Sequence, residues 1–138
     1  MKESADITVY SSDGIQKMRR KIAHGRLGES FEVAALISPG FGAGWSTDNL
    51  EHSSVLLFHK DIVEFILKNP AQTCVDAEVW DQELSTLVEH LVGDDSVYMG
   101  GAEQLEVIWL PEGMPFIVTE YDGAEGVRSL SSYDWNKA

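Results

Sequence analysis

The sequence predicts an α+β fold, a single domain over residues 1–138 with two to three helices followed by an antiparallel β-meander in the carboxyl-terminal third. Three observations lead there. Residues 78–92 carry one apolar stripe at helical spacing. From residue 96 onward, short apolar runs alternate with Gly, Pro and Asp-Gly turn signals. A chain of 138 residues, 43% hydrophobic and 24% charged, is long enough to bury one real core.

In chain order, residues 7–10 alternate apolar and polar and predict a first strand. Ser12 or Asp13 offers a cap for a helix starting near Ile15, with Ile15, Met18 and Ile22 at helical spacing. Its opposite face is basic, with Lys17, Arg19, Arg20 and Lys21 leading into His24 and Arg26; Gly25 and Gly28 mark its end. Residues 31–37 predict a strand closed by Ser38-Pro39 and a glycine loop. Ser53–Phe58 reads as a short buried strand, and residues 61–68 as a compact helix stopped by Asn69-Pro70. In the helix over 78–92, Trp80, Leu84, Leu87, Val88 and Leu91 share one face while Asp81, Glu83 and Glu89 lie off it. Strands then follow at 96–99, 105–110, 116–121 and 127–130. Gly100-Gly101, Pro111-Glu112-Gly113 and Asp122-Gly123 separate them as hairpin turns would.

Charge is the strongest global feature. Twenty-three acidic and ten basic residues give −13, and the excess is lopsided. Residues 1–68 hold 8 basic and 9 acidic residues (−1), whereas residues 69–138 hold 2 and 14 (−12). Such a surface repels nucleic acid and anionic lipid and favours a basic partner. No apolar run reaches membrane-spanning length, and the polar amino terminus lacks an apolar signal region. With Cys74 alone, no internal disulfide forms, and the expected location is a reducing cytoplasm.

Few motifs carry chemistry. The loop at 39–49, PGFGAGWSTDN, has glycines at 40, 42 and 44 but no Gly-Lys-Ser/Thr and no helix close behind, which disfavours a phosphate loop. Two readings remain: Trp45 pins a loop against the core, or Trp45, Ser46 and Thr47 line a binding groove. His24, His52, His59 and His90 are scattered without metal-ligand spacing, so no metal site is predicted. No nucleophile stands beside a base in a recognisable motif. Strand alternation through Glu120, Tyr121 and Asp122 places the two carboxylates on one face. With Glu125, they form an acidic surface able to imitate a phosphate backbone.

GAGWST with QLEVIWLPEG (104–113) and EYDGAE (120–125) resembles a diffuse group of small accessory proteins of tailed bacteriophages. The resemblance covers about half of the chain and implies a protein made in the host cytoplasm during infection, a group that includes inhibitors of host defence. A second resemblance is narrower. Gln104-Leu105-Glu106-Val107, then Leu110-Pro111-x-Gly113 and Phe116, is similar to the third motif of toxin-type ADP-ribosyltransferases. It implies NAD as cofactor, with Glu106 orienting the nicotinamide ribose, Gln104 in the specificity place and Ser46 in a partial match to an aromatic-Ser-Thr-Ser segment. That family carries a phosphate-binding Arg on an early strand, whereas the pattern here sets Arg19 and Arg20 on a helix.

The functional expectation is therefore a non-enzymatic, acidic, phage-encoded inhibitor or modulator of a host protein with a basic or nucleic-acid-binding surface. It needs no cofactor and touches neither nucleic acid nor membrane. Its expected contacts are Trp45, Glu120, Tyr121, Asp122, Glu125, Arg19 and Arg20. The alternatives are an NAD-using transferase through Glu106, Gln104 and Ser46, and a virion or assembly component. Open edges on the last strands also permit a homo-oligomer.

Overall fold

A computed structural model of the chain describes residues 7–12, 14–22, 30–40 and 44–129. The α+β class holds. Strands β1 (Ile7–Ser12), β2 (Ile15–Ile22), β3 (Ser30–Ile37) and β4 (Glu106–Pro111) form a four-stranded antiparallel meander in that order. Strands β5 (Phe116–Tyr121) and β6 (Ala124–Ser129) form a separate antiparallel hairpin. Between β3 and β4 run helices α1 (Ser53–Phe58), α2 (Lys60–Lys68) and α3 (Ala77–Val92). The late strands at 105–110, 116–121 and 127–130 are thus present but divided: the first joins the amino-terminal sheet and the others pair with each other. Gly25, Gly28, His24, Arg26, Gly42 and Leu130 lie outside the described residues.

The core lies between the sheet and the helices. Ala34 and Leu36 of β3 and Met18 of β2 pack with Trp45, Leu56, Ile62, Val63, Leu84 and Val88. Burial of each large aliphatic side chain contributes about 1.5–3 kcal/mol relative to leaving it in water. Every residue from Val33 to Ile37 is buried, so β3 is covered on both faces and forms the centre of the sheet. The α3 stripe is as read, with Trp80, Leu84 and Val88 inward and Asp81, Glu83 and Glu89 outward. Asp76 caps this helix by accepting from Glu78 N and Val79 N, and Gly93 ends it at φ 70°.

Three elements differ from expectation. Residues 15–22 form a strand, not a basic-faced helix, because β1 pairs with them along their length from Ile7↔Arg20 to Ser12↔Ile15. Local spacing does not register that partner. The cations lie over rings: Lys17 over Phe58, Arg19 over Tyr10 and Phe31, and Arg20 over Trp109. Ser53–Phe58 is a helix rather than a strand, since a short apolar run suits either when both sides are buried. Residues 96–99 form no strand. Instead, Tyr98 N donates to Asn49 Oδ1 (2.8 Å) and Asn49 Nδ2 donates to Tyr98 O (2.9 Å), so one side-chain amide replaces a strand neighbour.

The β2–β3 register covers only Arg19 to Ile22. At Lys17, β2 is bridged instead by His59, the residue joining α1 to α2. His59 Nδ1 accepts from Asp61 N (3.1 Å) and so caps α2. Burial lowers the imidazole pKa below 6.5, with Asp61 opposing and Lys60 assisting, which suits a ring that must be neutral to accept. Because the folded-state pKa is depressed, this contribution is complete above pH 6.5 and is lost as pH falls through the folded value. His59→Ala is expected to cost about 1 kcal/mol in urea denaturation at pH 7.5, and the difference from wild type to shrink below pH 6. A difference constant with pH would exclude the cap.

Candidate functional site

The glycine loop is a structural corner with a buried carboxylate at its centre. Trp45 is fully buried, and its Nε1 donates to Leu56 O (2.7 Å), which pins the loop to α1. Of the two readings of Trp45, the core anchor holds. Gly44 and Gly101 cross here so closely that a Cβ on Gly101 would overlap Gly44 O. Ser38 Oγ donates to Gly101 O (2.9 Å) at the same crossing. Gly101 therefore serves backbone-to-backbone packing, whereas Gly44, at φ 155°, leaves room for the Asp48 side chain.

Glu125 is not a surface contact. Its side chain is buried at 4% exposure and accepts from Ser38 N (3.0 Å), Trp45 N (2.6 Å), Thr47 N (3.0 Å) and Thr47 Oγ1 (2.6 Å). Glu125 N also donates to Ser38 O (2.9 Å). One carboxylate thus satisfies three backbone donors in a loop that no strand or helix could serve. Alternation in β6 turns Glu125 inward, and β6 carries it to the loop.

The hairpin tip is formed by Asp122 (φ 55°) and Gly123 (φ 86°) between the paired Tyr121 and Ala124. Both residues have positive φ, as the favoured two-residue hairpin turn demands. Asp122 is therefore a turn residue and does not continue the Glu120 face of β5. Glu120 accepts from Gly123 N (2.6 Å) and stabilises the turn. Tyr121 is 76% exposed.

Arg19 and Arg20 lie on β2, as the transferase resemblance would require, but both are engaged within the chain. Arg19 Nη1 donates to both Glu112 oxygens (3.2 Å each), and Arg20 pairs with Glu32 at 2.7 Å. Gln104 and Glu106 are exposed on either side of the buried Leu105. Gln104 sits against Gly40, where a Cβ would overlap its amide. Ser46 is buried. Gln104, Glu106 and Ser46 line neither the cleft at Lys68–Glu83 nor the cavities at Tyr10–Phe116 and Ala71–Glu103.

Two groupings were invisible in linear spacing. His52, Glu51 and Asp94 bring ligand-type atoms within 4.8 Å of one another. Asp94 is already engaged: Oδ1 accepts from Ser96 Oγ and N, and Oδ2 meets His52 Nε2 at 3.0 Å. The Ser96 bonds, then His52, pull its pKa down to about 2.

The second grouping is a cleft of about 380 Å³ where α2 gives way to α3, lined by Pro70, Cys74, Val75, Asp76, Val79 and Glu83 among others. Val75 is fully exposed and Val79 is 49% exposed, so apolar side chains stand in water beside two carboxylates. Lys68, at the same rim, pairs with Glu64 (3.0 Å). Neither Asp76 nor Glu83 meets a cationic side chain among the described residues. In the sequence, the only trace is Val75 and Val79 lying off the α3 stripe.

No protein-family model, no curated protein and no solved structure matches the chain. No helix of the described residues is long and apolar enough to cross a membrane.

Glu125→Gln puts an amide N–H against donors that need an acceptor. A loss of about 2–3 kcal/mol is expected in chemical denaturation, against under about 0.5 kcal/mol for Asp122→Asn at the exposed tip. Equal, small losses would show that the clamp is dispensable.

Proposed function

We propose that the chain is a non-enzymatic binding protein that engages and modulates a host protein through that partner's basic surface. The observation that carries this reading is the α2–α3 cleft, where exposed Val75 and Val79 stand beside Asp76 and Glu83. Exposed apolar side chains beside carboxylates that hold no cation, with the Lys68 at the rim already paired to Glu64, suit a cationic, amphipathic segment of a partner. Intramolecular pairing favours the same conclusion. Arg19, Arg20, Lys60 and Lys68 each hold a carboxylate of this chain. Asp76, Glu78, Asp81 and Glu83 hold no cation among the described residues, so their field faces outward. The resemblance to small phage accessory proteins supplies the host context, and inhibition of a nucleic-acid-binding protein follows if its basic surface is the one covered.

Host extract passed over the immobilised protein at low and moderate salt tests the reading. A basic protein is expected to be retained, more weakly as salt rises. Val79→Ser combined with Glu83→Lys is expected to reduce retention at least tenfold. Glu120→Lys with Asp122→Lys reports separately on the hairpin tip. If nothing basic is retained at either salt, or neither pair of substitutions alters retention, the proposal fails.

A further inference from the structure

The sheet is split where β2 and β3 diverge, and the gap is a cavity. Below Arg19, β2 has no β3 partner, and the end of α1 fills the place through the Lys17–His59 bridge. The cavity left beside it measures about 330 Å³, within the range of small-molecule sites. Its walls come from several pieces of the chain: Tyr10 and Lys17 from the first hairpin, Val33 from β3, Phe58 from α1, Leu110 from β4, and Glu112, Met114 and Phe116 from the β4–β5 connection and the start of β5. Phe58 and Phe116 meet edge to face at 6.1 Å. The walls combine three aromatic rings, Tyr10, Phe58 and Phe116, with the polar groups of Ser12, Lys17 and Glu112.

Lys17, unlike Arg19, Arg20, Lys60 and Lys68, holds no carboxylate among the described residues. Its Nζ lies 4.1 Å from the Phe58 ring centroid. Arg19, two residues along the same face of β2, is held by Glu112, and its buried Nε lacks an acceptor. That nitrogen is closed off from solvent, so Lys17 is the cationic contact the cavity offers.

We infer that this cavity is a binding site for a small aromatic monocarboxylate, its ring among Tyr10, Phe58 and Phe116 and its carboxylate on Lys17. The charge count sets the class. One unpaired ammonium neutralises one negative charge, and with Glu112 and Arg19 occupied by each other no second cation in the wall is left for a polyanion such as a nucleotide, which the chain's net −13 also repels. Aromatic walls select a flat apolar body over an aliphatic acid of equal charge. The site is independent of the acidic docking cleft.

Protein-observed NMR titration tests it, with 3-phenylpropanoate as probe, its neutral amide as the matched control and phenyl phosphate as the dianion. Saturable shifts are expected at Tyr10, Phe58, Met114 and Phe116, with the carboxylate at least tenfold tighter than the amide and phenyl phosphate weaker than the carboxylate. Lys17→Gln should erase the preference of carboxylate over amide, and Lys17→Arg should retain it. No saturable shift at millimolar probe overturns the site. Equal binding of acid and amide to the wild type, or a preference surviving in a folded Lys17→Gln, overturns the role of Lys17.

Discussion

The fold depends on one buried carboxylate. Glu125 collects the N–H groups of Ser38, Trp45 and Thr47 with the Thr47 hydroxyl, and no backbone element could take its place. Without it, Ser38 N and Trp45 N would be buried without acceptors, each costing about 1–3 kcal/mol, and the half-buried Thr47 N would lose its acceptor too. Its bonds join the end of the central strand, the glycine loop and the last hairpin. That junction also sets Trp45, whose indole reaches Leu56 O and fixes α1 against the sheet. The hairpin has no strand of the larger sheet as neighbour, so the clamp and the Phe58–Phe116 contact hold it in place.

Charge is apportioned on a similar economy of partners. The cations of β2 lie over aromatic rings and pair with Glu112 and Glu32, which lets a strand with few β-branched residues persist inside a sheet. Arg19 and Arg20 are thus neutralised within the chain while the acids of α3 hold no cation among the described residues, so the outer face of α3 presents negative charge. Lys17 stands apart, over a ring and at the mouth of a cavity.

The sequence was most legible where one period governed one element. The α3 stripe and the Asp122-Gly123 turn emerge where they were placed, because a helix face and a two-residue turn are local matters. Ser12 instead pairs with Ile15 across a turn that contains Gly14, although Ile15, Met18 and Ile22 also fit the helical period that makes Ser12 or Asp13 a cap. A helix and a strand were locally admissible there, and β1 decided between them. Glu125 shows the same limit in the site: alternation in β6 gives its face, but which face is inward depends on a loop some eighty residues earlier. The acidic character of the second half was legible from composition alone, whereas the cleft that gathers Val75, Val79 and Glu83 needed the helix–helix junction.

The separation of those partners bears on biosynthesis. Glu125 lies 87 residues after Ser38 and 80 after Trp45. A ribosome therefore exposes the glycine loop well before it delivers the group that completes it, and the central strand must wait for β4 as well. Contacts of such sequence separation form late and slowly. During synthesis β3 therefore stands as an unpaired edge until β4 and then the β5–β6 hairpin follow it out.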